Sequence, residues 1–218
     1  MKDDYIHKII KILRKVVHKW DVPIVTLTAE TSRDPFKVLI STILSLRTQD
    51  TTTAKVSRRL FELADNAHDM LKLSVKEIEK AIYPVGFYKT KARTIRYLCR
   101  ELVERYKSRV PDDLDELLKL KGVGRKTANL VVTLGYGRAG ICVDTHVHRI
   151  SNRLGYIKTK APLDTEISLR KKLPKKYWIE YNDLLVSFGQ HLCRPISPWC
   201  SVCPIEMYCD KVGVDKSR

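Results

Sequence analysis

The chain holds six cysteines in 218 residues, and four of them crowd into CRPISPWCSVCPIEMYC, residues 193–209. Cys193, Cys200, Cys203 and Cys209 are spaced C-x6-C-x2-C-x5-C. Three kinds of chemistry use such a set: disulfides, a zinc site, or an iron–sulfur cluster. The C-x2-C pair is a usual zinc element, so spacing alone leaves zinc and a cluster both open. Cys99 and Cys142 stand apart from the set and read as small buried apolar residues.

A second constellation lies in LDELLKLKGVGRKTANLVVTL, residues 114–134. Two helical patterns are joined by Lys121-Gly122-Val123-Gly124, where glycines suit a tight turn with φ > 0 and let backbone N–H groups approach a ligand. The second helix starts at once, so its N–H groups and positive dipole end face out of the turn, an anion site. An ordinary glycine-capped turn would have the same sequence. Neither helix shows the spacing of a base-reading motif, so contact independent of base sequence is expected. Lys126 falls in the first turn of that helix, where the dipole and neighbouring Arg125 disfavour a cation. A structural lysine gains little there, whereas a nucleophilic one is helped toward the neutral amine that attacks carbon. Eighteen residues on, Asp144 of ICVDTHVHR precedes another helix and by itself reads as an N-cap. His146 and His148, at i and i+2, do not share a helix face, which argues against a metal pair.

The chain has 41 Lys and Arg against 25 Asp and Glu, a net charge of +16 and a pI near 9.6. Such a surplus suits a polyanionic partner, nucleic acid before an acidic membrane, although a merely solvated basic surface would look similar. The opening MKDDYIHKIIKILRKVVHKW has lysines throughout and no signal-peptide pattern. No stretch approaches the roughly 20 apolar residues of a membrane span. The expectation is an intracellular protein, in the cytoplasm or nucleoid of a prokaryote, where structural disulfides are rare. That leaves a metal for the four thiols. Two Gln, three Met and 30% charged residues fit a thermophile.

The elements that must position these residues are helical, and the fold class is all-α. At 218 residues there is room for one large domain or two small ones, burying roughly 70% of the unfolded surface. Ile6, Ile9, Ile10, Leu13, Val16, Val17 and Trp20 recur at helical spacing as one core-facing stripe. A second helix is expected from Ser32–Pro35 through FKVLISTILSL, and Asp50 is expected to cap TTTAKVSRRLFEL. Ser74 and Glu77 form a capping-box pattern. Residues 88–107 predict one long helix, and further helices fit LDELLKL, RKTANLVVTLG, THVHRISNRLG and residues 174–187. No segment alternates like a strand. The nearest thing to a boundary is the glycine-rich GYGRAG at 135–140.

LKGVGRKTANLV, VDTHVHR and the cysteine spacing, in that order, resemble the endonuclease III family of helix-hairpin-helix DNA glycosylases. ILSLRTQD and VGFYKTKA extend the resemblance over nearly the whole chain. The family implies two all-α domains with a DNA groove between them. A six-helix domain would span 28–137, and residues 1–27 plus 138–218 would form the other, with the first helix packed beside a [4Fe–4S] cluster on Cys193, Cys200, Cys203 and Cys209. The partner would be double-stranded DNA with a damaged base, chiefly an oxidised pyrimidine, or an abasic site, and the enzyme a monomer.

By the same resemblance Lys126 would attack the sugar C1′, expel the base as a Schiff base forms, and cut the strand by β-elimination. Asp144 would stabilise positive charge on the sugar and assist proton transfers. Lys121, Gly122, Val123, Gly124 and Arg125 would contact phosphate, and His146 would lie near the abasic sugar. Arg47 would fill the hole left by a flipped base where bacterial members carry glutamine, and Phe87 would wedge opposite in place of a family leucine. An Arg47–Asp50 surface pair is the alternative for Arg47. Two rivals remain: a monofunctional mismatch glycosylase, which would lack a lysine at position 126, and a DNA-binding redox protein, for which Lys126 and Asp144 would be coincidental.

Overall fold

The computed structural model describes residues 1–20 and 34–218. Among the described residues all regular structure is helical, and no helix is long and apolar enough to cross a membrane. The chain divides into two compact units, a terminal one (Met1–Pro23 with Ile141–Arg218) and a central one (Ile24–Gly140). The expected helix start at Ser32 and the 27/28 domain boundary lie outside the described residues.

The terminal unit opens with α1 (Tyr5–Val17), whose Ile6, Ile9, Ile10 and Leu13 are buried as the stripe predicts. Trp20 lies past the helix end, where its ring stacks on His191 at 4.5 Å.

In the central unit α2 (Pro35–Ser45) is buried nearly all round, from Phe36 to Leu44, and forms its core. Asp34 caps it, accepting the N–H of Phe36 at 2.8 Å, with Pro35 in the first turn. The next helix, α3 (Asp50–Leu63), corrects the expected cap. Gln49 holds the extended capping position, and Asp50 is already helical, favoured there by the dipole. Then come α4 (Ala67–Lys72), too short for its periodicity to be read, and α5 (Val75–Ile82). The predicted capping box is present, with Ser74 N–H donating to Glu77 Oε2 at 2.7 Å and Glu77 N–H to Ser74 Oγ at 3.2 Å. Helix α6 (Tyr88–Tyr106) is the long one, and α7 (Leu114–Lys119) leads through a turn to α8 (Arg125–Leu130). A π-helical turn over Val131–Gly135 continues α8. There a Cβ on Gly135 would sit 3.1 Å from Pro35 Cα, a close approach that ties this segment to α2.

The terminal unit resumes with α9 (Thr145–Arg153), α10 (Pro162–Lys172) and α11 (Trp178–His191). Val147, Ile150, Leu169, Tyr181, Leu185 and Phe188 close over the α1 stripe. The helix expected over residues 174–187 begins later and runs further, because Lys175–Tyr177 form a separate 3-10 turn. Helix α10 escapes a periodicity reading for a physical reason. It buries Thr165 and Glu166 while leaving Leu163 and Ile167 exposed. The buried polar groups are bonded: Thr165 Oγ1 lies 2.7 Å from His148 Nδ1 and 2.6 Å from Thr159 Oγ1, and Glu166 Oε1 pairs with Arg170.

Candidate active site and cysteine cavity

The turn between α7 and α8 is held from below and open above. Val123 is buried and donates its N–H to Leu120 O at 3.0 Å. Gly122 has φ +90°, and a Cβ there would meet Thr94 Cγ2 at 2.5 Å, so only glycine fits. Gly124 corrects the expectation of two left-handed glycines: its φ is −92°, and it occupies the capping position of α8. Its own reason for being glycine differs. A Cβ there would meet nothing within 4 Å, so the turn offers its backbone to a ligand without a side chain in the way. Lys126 follows at the second position of α8, half-buried, with Thr127, Ala128 and Asn129 fully packed behind it. Arg125 stands next to it, half-buried, while Lys121 is exposed with its ammonium 5.5 Å over the Tyr97 ring. Val123 can therefore offer a partner only its backbone.

Elsewhere in the central unit two residues that are 40 positions apart meet. Arg47 lies in the turn after α2, and Phe87 holds the capping position before α6. The Arg47 guanidinium lies 4.9 Å from the Phe87 ring centroid, and Phe87 is 60% exposed. Arg47 makes no ion pair with Asp50 among the described residues, so the surface-pair alternative is not realised. Both backbones are left-handed, with φ +56° and +59°.

In the terminal unit Asp144 caps α9: its Oδ1 accepts the N–H groups of His146 and Val147, each at 2.9 Å. His146 and His148 diverge, as their spacing implies. His146 Nδ1 lies 3.2 Å from Arg149, and His148 turns to Thr165. Gly189 of α11 makes room for His146, since a Cβ there would come within 2.3 Å of its Nδ1.

Cys193, Cys200, Cys203 and Cys209 line one apolar cavity of about 20 Å³, together with Ile150, Leu154, Phe188 and Ile205. Among the described residues no three His, Cys, Asp or Glu side chains close on a single ion. All four cysteines nevertheless contribute to the lining of this one cavity. Donors point at the sulfurs: Arg153 Nη1 at 3.3 Å from Cys193 Sγ, and the Lys211 N–H at 3.4 Å from Cys209 Sγ. Burial pushes the Cys203 thiol up to about 11 and that of Cys209 upward, so a bound metal must displace their protons. Arg149 and Arg153 escaped the sequence reading. Arg149 donates to Cys193 O at 2.8 Å, and Arg153 to Arg194 O at 2.8 Å and Pro195 O at 3.1 Å. Their i, i+4 spacing in THVHRISNR was the available signal. Within the unit the N-terminal segment meets the cysteine segment, with Tyr5 edge-on to Tyr208 at 5.1 Å and Met1 N paired with Asp210.

Residues 40–175 match the family model for HhH-GPD superfamily base excision DNA repair proteins. Endonuclease III of Thermotoga maritima is 48% identical over 177 residues, covering 81% of this chain and 83% of that protein. The Bacillus subtilis endonuclease III is 38% identical over 190 residues, covering 84% and 87%. Among solved structures, a trapped endonuclease III–DNA covalent intermediate superposes with a TM-score of 0.86 at 37% identity, covering 97% of each chain. This chain belongs to the endonuclease III family of the HhH-GPD superfamily of base excision DNA repair proteins.

Proposed function

We propose that this chain, a base-excision DNA glycosylase and abasic-site lyase by its family, uses Lys126 as its nucleophile on double-stranded DNA bearing a damaged base, chiefly an oxidised pyrimidine, or an abasic site. The observation that carries the reading is the α7–α8 turn: Lys126 is the second residue of a helix that begins directly after Gly124, where an added side chain would meet nothing. Phosphate can approach the backbone N–H groups of this turn. A base within a duplex must first be flipped out to be reached. The neutral Nζ then forms a bond to C1′ as the glycosidic C–N bond breaks, and the base leaves with a proton. Opening of the sugar ring yields the Schiff base. Loss of a C2′ proton then expels the 3′ phosphate, cutting the strand.

Asp144 is assigned the stabilisation of positive charge on the sugar and the proton transfers. Its N-cap bonds to His146 and Val147 support that role by holding the carboxylate in one orientation. His146, packed over Gly189, is assigned to the sugar as well. Arg47 and Phe87 are assigned to the space vacated by the flipped base. Lys121 and Arg125, with the backbone of Gly122, Val123 and Gly124, are assigned to phosphate. The domains 28–137 and 1–27 with 138–218, and a monomeric enzyme, belong to the same proposal.

Cys193, Cys200, Cys203 and Cys209 are assigned to a [4Fe–4S] cluster, supported by the cavity that all four line and by its N–H···S donors. Such a cluster would cross-link a segment that has little helix of its own.

Borohydride reduction on abasic-site DNA tests the nucleophile. The wild type is expected to become covalently attached and Lys126→Ala is not. Retained attachment in that variant would overturn the assignment, and absence of attachment in the wild type would favour a monofunctional glycosylase.

A further inference from the structure

Arg47 and Phe87 are costly choices at their positions. A left-handed residue just past a helix end is normally glycine, and a residue before a helix is normally Ser, Thr, Asp or Asn. Here an arginine and a phenylalanine take left-handed backbones at two such sites, φ +56° and +59°, and stack on each other in the open. Left-handed residues with a Cβ persist only where their surroundings over-determine them.

What surrounds them converges on Lys91. This lysine is 7% exposed and lies one turn into α6, where its N–H donates to Phe87 O at 3.0 Å. Side chains on a helix lean toward its N-terminus, so the ammonium reaches back to the turn that carries Arg47. It donates to Leu44 O at 2.8 Å, Leu46 O at 2.6 Å and Thr48 Oγ1 at 3.0 Å. An ammonium has three donors, and all three are used. Two of the acceptors are carbonyls at the C-terminal end of α2, where helix carbonyls lack partners and a cation is favoured. Thr48 Oγ1 also accepts the Gly86 N–H at 3.2 Å. A Cβ on Gly86 would lie 2.7 Å from Arg47 O, so the two turns touch backbone to backbone. Burial alone lowers Lys91 to about 8, and three oxygen acceptors work against that loss of charge.

We propose that Lys91 is the positioning residue of the duplex-entering pair: through Leu44, Leu46 and Thr48 it locks the two turns so that Arg47 and Phe87 are presented together. This rests on the assignment of Arg47 and Phe87 to the vacated base site.

The test compares two substrates, a duplex with a stably paired lesion and one with a preformed abasic site, across Lys91→Met, Thr48→Val, Arg47→Ala and the Lys91→Met/Arg47→Ala double variant. Flipping matters for the first substrate far more than for the second. Lys91→Met is expected to slow base removal from the paired lesion by about tenfold while borohydride attachment at the abasic site falls by less than about twofold. The double variant should be no slower than Arg47→Ala alone, since both would remove one device. If Lys91→Met does not fold, as thermal melting would show, Thr48→Val decides by the same ratio, because it leaves the ammonium in place. Should Arg47→Ala be selective while Lys91→Met and Thr48→Val are not, or should losses in the double variant multiply, the positioning role is overturned and the pair's role stands. Equal losses on both substrates for Arg47→Ala would overturn the pair's assignment, and the role of Lys91 with it.

Discussion

The α7–α8 turn and the cysteine segment are both irregular stretches tied to helix ends, yet they are held by opposite means. The turn is fixed from within: Val123 and Leu120 are buried beneath it, Gly122 is pressed on Thr94, and α8 leaves it in a fully packed second half-turn. Residues 193–218 contain one short helical turn, Glu206–Tyr208, and left-handed backbones at Ser197, Lys211 and Gly213. Ile196, Val202 and Met207 project outward at 88%, 64% and 79% exposure, so this segment has little core to stand on. It is anchored by Arg149 and Arg153, by Tyr5 against Tyr208, by the Met1–Asp210 pair and by buried Ile205. A site that must present backbone to a ligand can be preorganised by packing alone, whereas a segment poor in helix and core depends on long-range side-chain contacts.

The sharpest way to test that contrast is to remove function and stability separately. Lys126→Ala is expected to reduce strand cleavage and borohydride attachment below detection, while DNA binding and the melting temperature stay at wild-type values. A large fall in stability would mean that the lysine is structural. Asp144→Asn should slow turnover by roughly 10²–10⁴-fold with an unchanged melt, because asparagine caps a helix about as well as aspartate. If Asp144→Ala lowers stability but Asp144→Asn leaves the rate intact, the residue is a cap and nothing more.

Cys203→Ser should do the reverse. Purified wild type is expected to be yellow-brown with about four irons, and the variant to lose the colour and the order of its C-terminal segment. In limited proteolysis residues 193–218 should then be cut first, with the central unit resistant. A colourless protein carrying stoichiometric zinc would remove the cluster and keep the contrast.

Binding to undamaged duplex gives a milder measure. If about five phosphates are neutralised, the log–log salt slope should lie near −4.5, and Lys121→Ala should lower its magnitude by about 0.9. A slope near zero would separate the +16 charge from DNA altogether. The smallest expected effect is on the α5 capping box, where Ser74→Ala should cost about 1 kcal/mol in denaturant unfolding and leave both sites working.

Much of this molecule is determined by local sequence. The α1 stripe, the α5 box, the long α6 and the left-handed Gly122 follow from periodicity and backbone preference, which act within a few residues. The order of the hairpin, Asp144 and the four cysteines was enough to place the chain in its family. Other features depend on partners far away in the chain. Helix α10 hides Thr165 and Glu166 because His148, Thr159 and Arg170 satisfy them, so its polar face is an inward one. Arg149 and Arg153 acquire their meaning from the Cys193–Pro195 carbonyls and the Cys193 sulfur, about 40 residues later. In the sequence Lys91 is one of several basic residues on α6. Its burial, and the three oxygens that keep an ammonium there, exist only once α2 ends beside the first turn of α6. Pattern within a segment reports which face is apolar. Only the fold decides which buried charge is compensated, because the compensating groups come from segments that no local rule connects.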